Sequence, residues 1–201
     1  MILKRIFDFF AAAIGLVLLF PFLLLIALLI KIKTTGSVMF IQKRVGRNAK
    51  PFKMIKFCTM TPIHCGSTIT VRGENRITPL GAVLRKYKLD ELPELWNVLI
   101  GDMSLVGPRP DVPGYADKLQ GEDRKILELR PGITGPASLK YADEEAILAK
   151  QADPQKYNDK VIFPDKVRIN LNYMQNRSFW LDIKIIFHTI LGKKLSEDYL
   201  R

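Results

Sequence analysis

From residue 9 to residue 30 the chain carries no charged side chain. About 22 such positions are near the length that crosses a bilayer as one helix. They are apolar on every side, unlike the striped helix of a soluble core. Pro21 falls near the middle of the run, where it interrupts the helical hydrogen-bond ladder. Each half alone is too short to span. Beyond Gly36 the apolar runs shorten. Residues 38–42 and 52–57 are β-prone, and Gly46-Arg47-Asn48 between them signals a turn, so the pattern predicts a hairpin. Residues 61–81, rich in Thr, Gly and Pro, read as a loop, and a helix is expected over 82–88. Leu92, Leu95, Trp96 and Leu99 recur at helical spacing and face a core, with Gly101 as the stop. A polar helix is expected over 117–129, then a turn at Arg130-Pro131-Gly132 and an acidic helical stretch at Asp143-Glu144-Glu145. Short helices follow over 167–173 and 180–190. In the last, the apolar set Phe179, Trp180, Ile183, Ile186 and Phe187 beside Asp182, Lys184 and His188 reads first as a core face, and Trp and Phe beside basic residues also suit a membrane interface.

The fold class that follows is α+β and mostly helical: a membrane helix, a small hairpin, and amphipathic helices around a compact domain. The 201 residues fit one domain plus an anchor, divided as 1–33 and 34–201. A cleaved signal peptide fits poorly. The run is long for one, and it leads into basic sequence without a small-residue cleavage site.

Charge sharpens the picture. The formal net charge is +11, which implies an anionic partner such as a nucleic acid, an anionic membrane face or a phosphorylated substrate. Lys4 and Arg5 precede the apolar run. Lys31, Lys33, Lys43, Arg44, Arg47, Lys50, Lys53 and Lys56 follow it with no acidic residue among them. The positive-inside rule then places both ends in the cytoplasm. A kinked hairpin that enters and leaves one leaflet satisfies this. A kinked spanning helix oriented by the larger, C-terminal cluster is the alternative. Asp8 lies within a helical turn of Lys4 and Arg5 and can pair with them at the interface. Cys58, Cys65 and His64 offer no zinc-like spacing and no disulfide framework. No recognition helix, RNA-binding signature or zinc motif accompanies the basic charge, so nucleic acid is not the expected partner.

Candidate chemistry is concentrated between Leu89 and Pro110. Asp90 and Glu91 stand just before Pro93, which is tolerated in a first helical turn. Acidic residues there are commonly caps. A helix start also presents free N–H groups and positive partial charge, which suit a phosphate and favour an ionised carboxylate. Pro108-Arg109-Pro110 fixes the backbone on both sides of one guanidinium, a donor fork matched to phosphate oxygens; by itself it also reads as a rigid turn with a solvated arginine.

Taken together, Leu89-Asp90-Glu91-Leu92-Pro93, Gly101-Asp102-Met103-Ser104 and Gly107-Pro108-Arg109-Pro110 resemble the bacterial sugar transferase family. Its members are monotopic polyprenyl-phosphate phosphoglycosyl transferases. Lys4-Arg5-Ile6-Phe7-Asp8, Gln42-Lys43-Arg44-Val45-Gly46, Lys56-Phe57, Thr59-Met60 and Arg130-Pro131-Gly132-Ile133-Thr134-Gly135 extend the resemblance, in order, over nearly the whole chain. The resemblance implies a re-entrant anchor broken at Pro21, on the cytoplasmic face of a bacterial inner membrane. It implies transfer of sugar-1-phosphate from a UDP-sugar to polyprenyl (undecaprenyl) phosphate, the first membrane step of a glycoconjugate pathway. Asp90 would be the nucleophile and form an aspartyl-phosphosugar intermediate. Glu91 would bind Mg2+ with Asp90 or handle a proton, a choice the residues leave open. Arg109, Lys56 and Arg85 would hold phosphate oxygens. The chain departs from many relatives at three places. Phe20 replaces a serine before the anchor proline. Cys58 stands where a basic residue is usual. Pro136-Ala137-Ser138 replaces Trp-Ala-Gln after Thr134-Gly135, a region expected to bear on sugar choice. The alternative class is a membrane-tethered nucleic-acid-binding or scaffold protein, which the basic charge and anchor alone would explain.

Overall fold

The computed structural model describes residues 2–34, 36–61 and 76–193. His64 and Cys65, and most of the loop expected over 61–81, lie outside them. Helix α1 (Ile2–Lys33) runs through Pro21 and is exposed along most of its apolar length. It is long and apolar enough to cross a membrane. The predicted hairpin is present as β1 (Met39–Val45) and β2 (Pro51–Phe57), antiparallel with Met39 opposite Phe57 and Val45 opposite Pro51. A turn over Arg47–Ala49 joins them, with Asn48 in the left-handed region, a conformation asparagine tolerates.

Helix α2 (Pro79–Lys86) begins three residues before the expected start. Pro79 occupies the first turn, and the Thr78 side chain accepts from the Gly81 N–H at 2.9 Å. A tight turn over Leu89–Glu91 leads into α3 (Glu94–Ile100), which ends at Gly101 with φ 96. The expected stop is therefore correct. The expected helix over 117–129 is instead two 3-10 segments, Ala116–Lys118 and Gly121–Glu128, with Gly121 at φ 57 starting the second. Short helices α4 (Pro136–Lys140), α5 (Glu144–Leu148) and α6 (Pro154–Tyr157) follow, and a π turn over Asn158–Ile162 leads from α6 into α7 (Phe163–Asn176). Helix α8 (Phe179–Ile190) is capped by Ser178, which accepts from the Leu181 N–H.

One pairing was not anticipated. Strands β3 (Ser104–Val106) and β4 (Gly132–Thr134) run parallel, Ser104 opposite Gly132 and Val106 opposite Thr134. Three-residue strands are too short to show an alternation. The pairing depends on glycine. A Cβ on Gly107 would collide with the Arg130 carbonyl, and one on Gly132 with the Gly107 backbone.

Apolar burial ties α1 to this body at two separate places. Ala12 packs with Phe52, Met54, Val98 and Met103. Ile26 and Ile30 pack with Phe57 and Leu84. Between them, Ile14, Val17, Leu18, Phe20, Leu24 and Leu25 are exposed. Tyr173 and Ile185 join Val106, Leu129 and Leu139 in a further cluster beneath β3.

Candidate active site

The Leu89–Glu91 turn turns both acidic residues inward: Asp90 is 6% exposed and Glu91 7%. Lys88, just before it, sits at φ 56, a left-handed conformation that reverses the chain out of α2. Helix α3 is fixed against the open edge of β2 by Asn97, which is fully buried. Its Oδ1 accepts from the Ile55 N–H at 3.1 Å, and its Nδ2 donates to the Lys53 carbonyl at 2.7 Å. That contact sets the register between the strand carrying Lys56 and the helix that follows Asp90.

Lys56, Glu91 and Arg109 are thereby brought together. Lys56 Nζ donates to Glu91 Oε1 at 2.9 Å and lies 3.1 Å from Glu94 Oε1. Arg109 grips Glu91 with both terminal nitrogens, Nη1 reaching Oε2 at 3.2 Å and Nη2 reaching Oε1. This two-pronged pairing is the one guanidinium geometry favours. Burial works against the Glu91 anion, but Arg109 and Lys56 outweigh it and hold its carboxyl well below the ordinary range. Glu91 in turn raises the Arg109 pKa.

Asp90 differs. Its Oδ1 is buried with no hydrogen-bond partner among the described residues. Burial, and then the Glu91 charge, push its carboxyl up, while Lys56, Arg85 and Lys88 pull it down. Arg85 stands close enough to act on Asp90 through its charge, but its donors go elsewhere. Nη2 pairs with Glu145 of α5, and Nη1 lies 3.5 Å from Thr59 Oγ1. The sequence-predicted set is thus one tight ion cluster (Lys56, Glu91, Arg109) beside a buried carboxylate with an unengaged oxygen (Asp90), with Arg85 at its edge.

Sequence reasoning missed three neighbours. Glu94 is 1% exposed, and burial lifts its carboxyl to about 6 despite Lys56. The signal was available, since Glu94 falls three residues after Glu91, within one helical turn. Arg44 donates to the Pro110 carbonyl at 3.2 Å. With Met54, Lys56, Glu94, Arg109 and Pro110 it lines a cavity of about 10 Å³. Asp111, next after Pro110, is pushed up to about 6 by burial, against the pull of Lys166 and Arg44. Nothing in the sequence pattern brings Arg44 to Pro110; only the fold does.

As a magnesium site, the two carboxylates are unequal. The unpartnered oxygen of Asp90 fits a cation ligand. Both oxygens of Glu91 are already engaged by Arg109 and Lys56, so it fits only if those release it. Among the described residues no three His, Cys, Asp or Glu side chains gather as a metal cluster. A cation here would therefore draw most of its ligands from phosphate and water.

Residues 1–193 match the family model described as bacterial sugar transferase. A UDP-N-acetylgalactosamine-undecaprenyl-phosphate N-acetylgalactosaminephosphotransferase of Aeromonas hydrophila is 37% identical over 94% of this chain and 43% of its own length. The exopolysaccharide production protein PSS of Rhizobium leguminosarum bv. phaseoli is 37% identical over 96% of each. A UDP-glucose:undecaprenyl-phosphate glucose-1-phosphate transferase of Caulobacter vibrioides is 37% identical over 93% of this chain and 68% of its own length. This chain therefore spans less than half of the first of these relatives and nearly all of the second.

Proposed function

Because the chain belongs to the bacterial sugar transferase family, we propose that it moves a sugar-1-phosphate from a UDP-sugar to a polyprenyl phosphate, undecaprenyl phosphate being the form named in two relatives. The observation that carries this reading is Asp90: a buried carboxylate with an unengaged oxygen, within the field of Lys56, Arg85 and Lys88, next to the Glu91 that Arg109 grips. In the proposed first step an Asp90 oxygen attacks the phosphorus that bears the sugar. The bond from that phosphorus to the bridging oxygen breaks, and UMP leaves with the electron pair. In the second, an oxygen of the polyprenyl phosphate attacks the same phosphorus and Asp90 departs as a carboxylate. Dividing one displacement into two is the gain from covalent catalysis. Both substrates are anionic. Arg109 turns from Glu91 toward phosphate oxygens, and Lys56 keeps Glu91 neutralised meanwhile. Arg85 meets the phosphates from the α2 side. Asp90 would hold magnesium through the carboxylate oxygen that does not attack, and the ion would supply charge neutralisation of the diphosphate.

The acceptor lipid stays in the membrane, which explains the anchor. A helix that crosses a bilayer leaves its ends on opposite faces, about 30 Å apart. Here both halves of α1 pack on the same body, Lys4, Arg5, Asp8 and Ala12 on one side of Pro21 and Ile26 and Ile30 on the other. This supports a re-entrant anchor (1–33) with its catalytic domain (34–201) on one face of the membrane, and the basic residues flanking the apolar run favour the cytoplasmic face of the inner membrane. Trp180, Phe187, Ile190 and Leu191, exposed on and just after α8, suit head-group depth. Neither the family nor the site supports the alternative of a tethered nucleic-acid-binding or scaffold protein.

The test is intact-mass analysis of the protein with magnesium and a panel of UDP-sugars, without acceptor, alongside Asp90→Asn. A mass gain equal to one sugar phosphate, in the wild type only and mapped to Asp90, is expected. Turnover that persists in Asp90→Asn overturns the assignment of the nucleophile.

A further inference from the structure

Strand β3 delivers Arg109 to the site, and only one of its edges is paired by β4. The Ser104 N–H donates to the Pro131 carbonyl at 2.9 Å. Successive strand N–H groups point opposite ways, so the Leu105 N–H faces the other edge. There it meets the membrane helix: Leu105 N–H donates to Asp8 Oδ1 at 3.2 Å, and Ser104 Oγ donates to Asp8 Oδ2 at 2.7 Å. Asp8 is 3% exposed and Ser104 1%. The carboxylate takes the place of a missing neighbouring strand, and a buried backbone donor left without it would be costly.

The adjoining residues of α1 hold two more elements. Arg5 donates from Nη1 to the Val98 carbonyl at 2.6 Å and from Nη2 to the Leu99 carbonyl at 2.9 Å. These are last-turn carbonyls of α3, whose other end follows Asp90 and Glu91 and carries Glu94. Lys4 pairs with Asp182 of α8 at 2.6 Å, and Asp182 accepts from the Tyr173 hydroxyl of α7. One helical turn of the anchor therefore grips the strand before Arg109, the far end of the helix after Asp90, and the two C-terminal helices.

We propose that Asp8 is a positioning residue for Arg109: the membrane helix closes the open edge of β3 and so fixes where the guanidinium enters the site. Anchor and site are then one mechanical unit rather than a tether and an independent domain. The proposal rests on the reading of Arg109 as a phosphate-holding residue.

The experiment uses the full chain in nanodiscs of phosphatidylethanolamine and phosphatidylglycerol, with magnesium pyrophosphate as the probe. Amide exchange over 104–109 and pyrophosphate affinity are measured for wild type, Asp8→Ala, Asp8→Asn, Ser104→Ala, Arg109→Ala and the Asp8→Ala/Arg109→Ala pair. Asp8→Ala is expected to speed exchange at Leu105 and Gly107 and weaken pyrophosphate binding, each by about tenfold, the size of one lost buried hydrogen bond. Amides of α7 stay as they were. Asp8→Asn, whose amide oxygen still accepts from Leu105 and whose NH2 can donate to Ser104, is expected to recover most of both. In the Arg109→Ala background Asp8→Ala should add no further loss. Unchanged exchange at Leu105, or losses from Asp8→Ala and Arg109→Ala that simply add, overturn the proposal. If Asp8→Ala does not fold, Ser104→Ala takes its place in the same cycle. Pyrophosphate binding indifferent to Arg109→Ala overturns the role given to Arg109, whereas the exchange data judge the contact between Asp8 and β3 regardless of turnover.

Discussion

Two neighbouring carboxylates are driven apart by their surroundings. Glu91, gripped by Arg109 and Lys56, stays ionised far into acid. Asp90, with an unengaged oxygen, is raised by burial. Such a split is how one site divides roles between like residues. Glu94 is the third member and gives a prediction about stability. Its carboxyl stands at about 6 in the fold against 4.5 ordinarily. Between those values the folded chain binds more protons than the unfolded one, so this residue makes stability decline as pH rises through the window. Glu94→Gln should remove that decline, a difference on the order of 1–2 kcal/mol between pH 4.5 and pH 6. Denaturant unfolding of both proteins at several pH values measures it. A variant with the wild-type slope would show that Glu94 does not titrate there. The pair Asp90-Glu91 was legible in the sequence, because adjacent acids before Pro93 are conspicuous. The engagement of Glu91 was not, since its two cations come from β2 and from beyond β3.

At the scale of elements, glycine decides where the site-bearing segments start and stop. Gly101 ends α3 at φ 96, and a Cβ there would lie 3.0 Å from the Arg5 guanidinium that caps the same helix. Gly101→Ala is therefore expected to destabilise the protein by more than about 1 kcal/mol, through backbone strain and a disturbed Arg5 contact. Thermal unfolding in detergent checks the direction. Gly36→Ala, which meets open space, is the comparison and should be near neutral. The hairpin and α3 were readable from local pattern because period and turn residues agree within each. Strands β3 and β4 were not, since three residues carry no period. The segment 117–129 was misread because Gly121 takes a left-handed conformation that divides it.

The whole molecule poses the question of sidedness. Both contact patches of α1 lie on one body, so both ends should be accessible from one face of the membrane. In a Cys58→Ser/Cys65→Ser background, Leu3→Cys and Gly36→Cys are expected to react with a membrane-impermeant maleimide from the cytoplasmic side alone, in inverted vesicles and not in right-side-out ones. Labelling of the two positions from opposite sides would establish a spanning helix instead.

The sequence by itself determined the family, the long apolar helix, the hairpin and which residues are candidates for the chemistry, because these reside in composition, local period and short motifs. Tertiary structure alone decided which oxygens remain unengaged. Asp90 keeps one while Glu91 spends both, since Lys56 and Arg109 arrive from distant segments. It also decided that Asp8, read in the sequence as a partner for Lys4 and Arg5, instead closes the edge of β3, while those two cations reach α8 and α3. Charge pairing along a helix is local and can be read from spacing. The partner of a buried backbone N–H is set by what packs against it, and spacing carries no record of that.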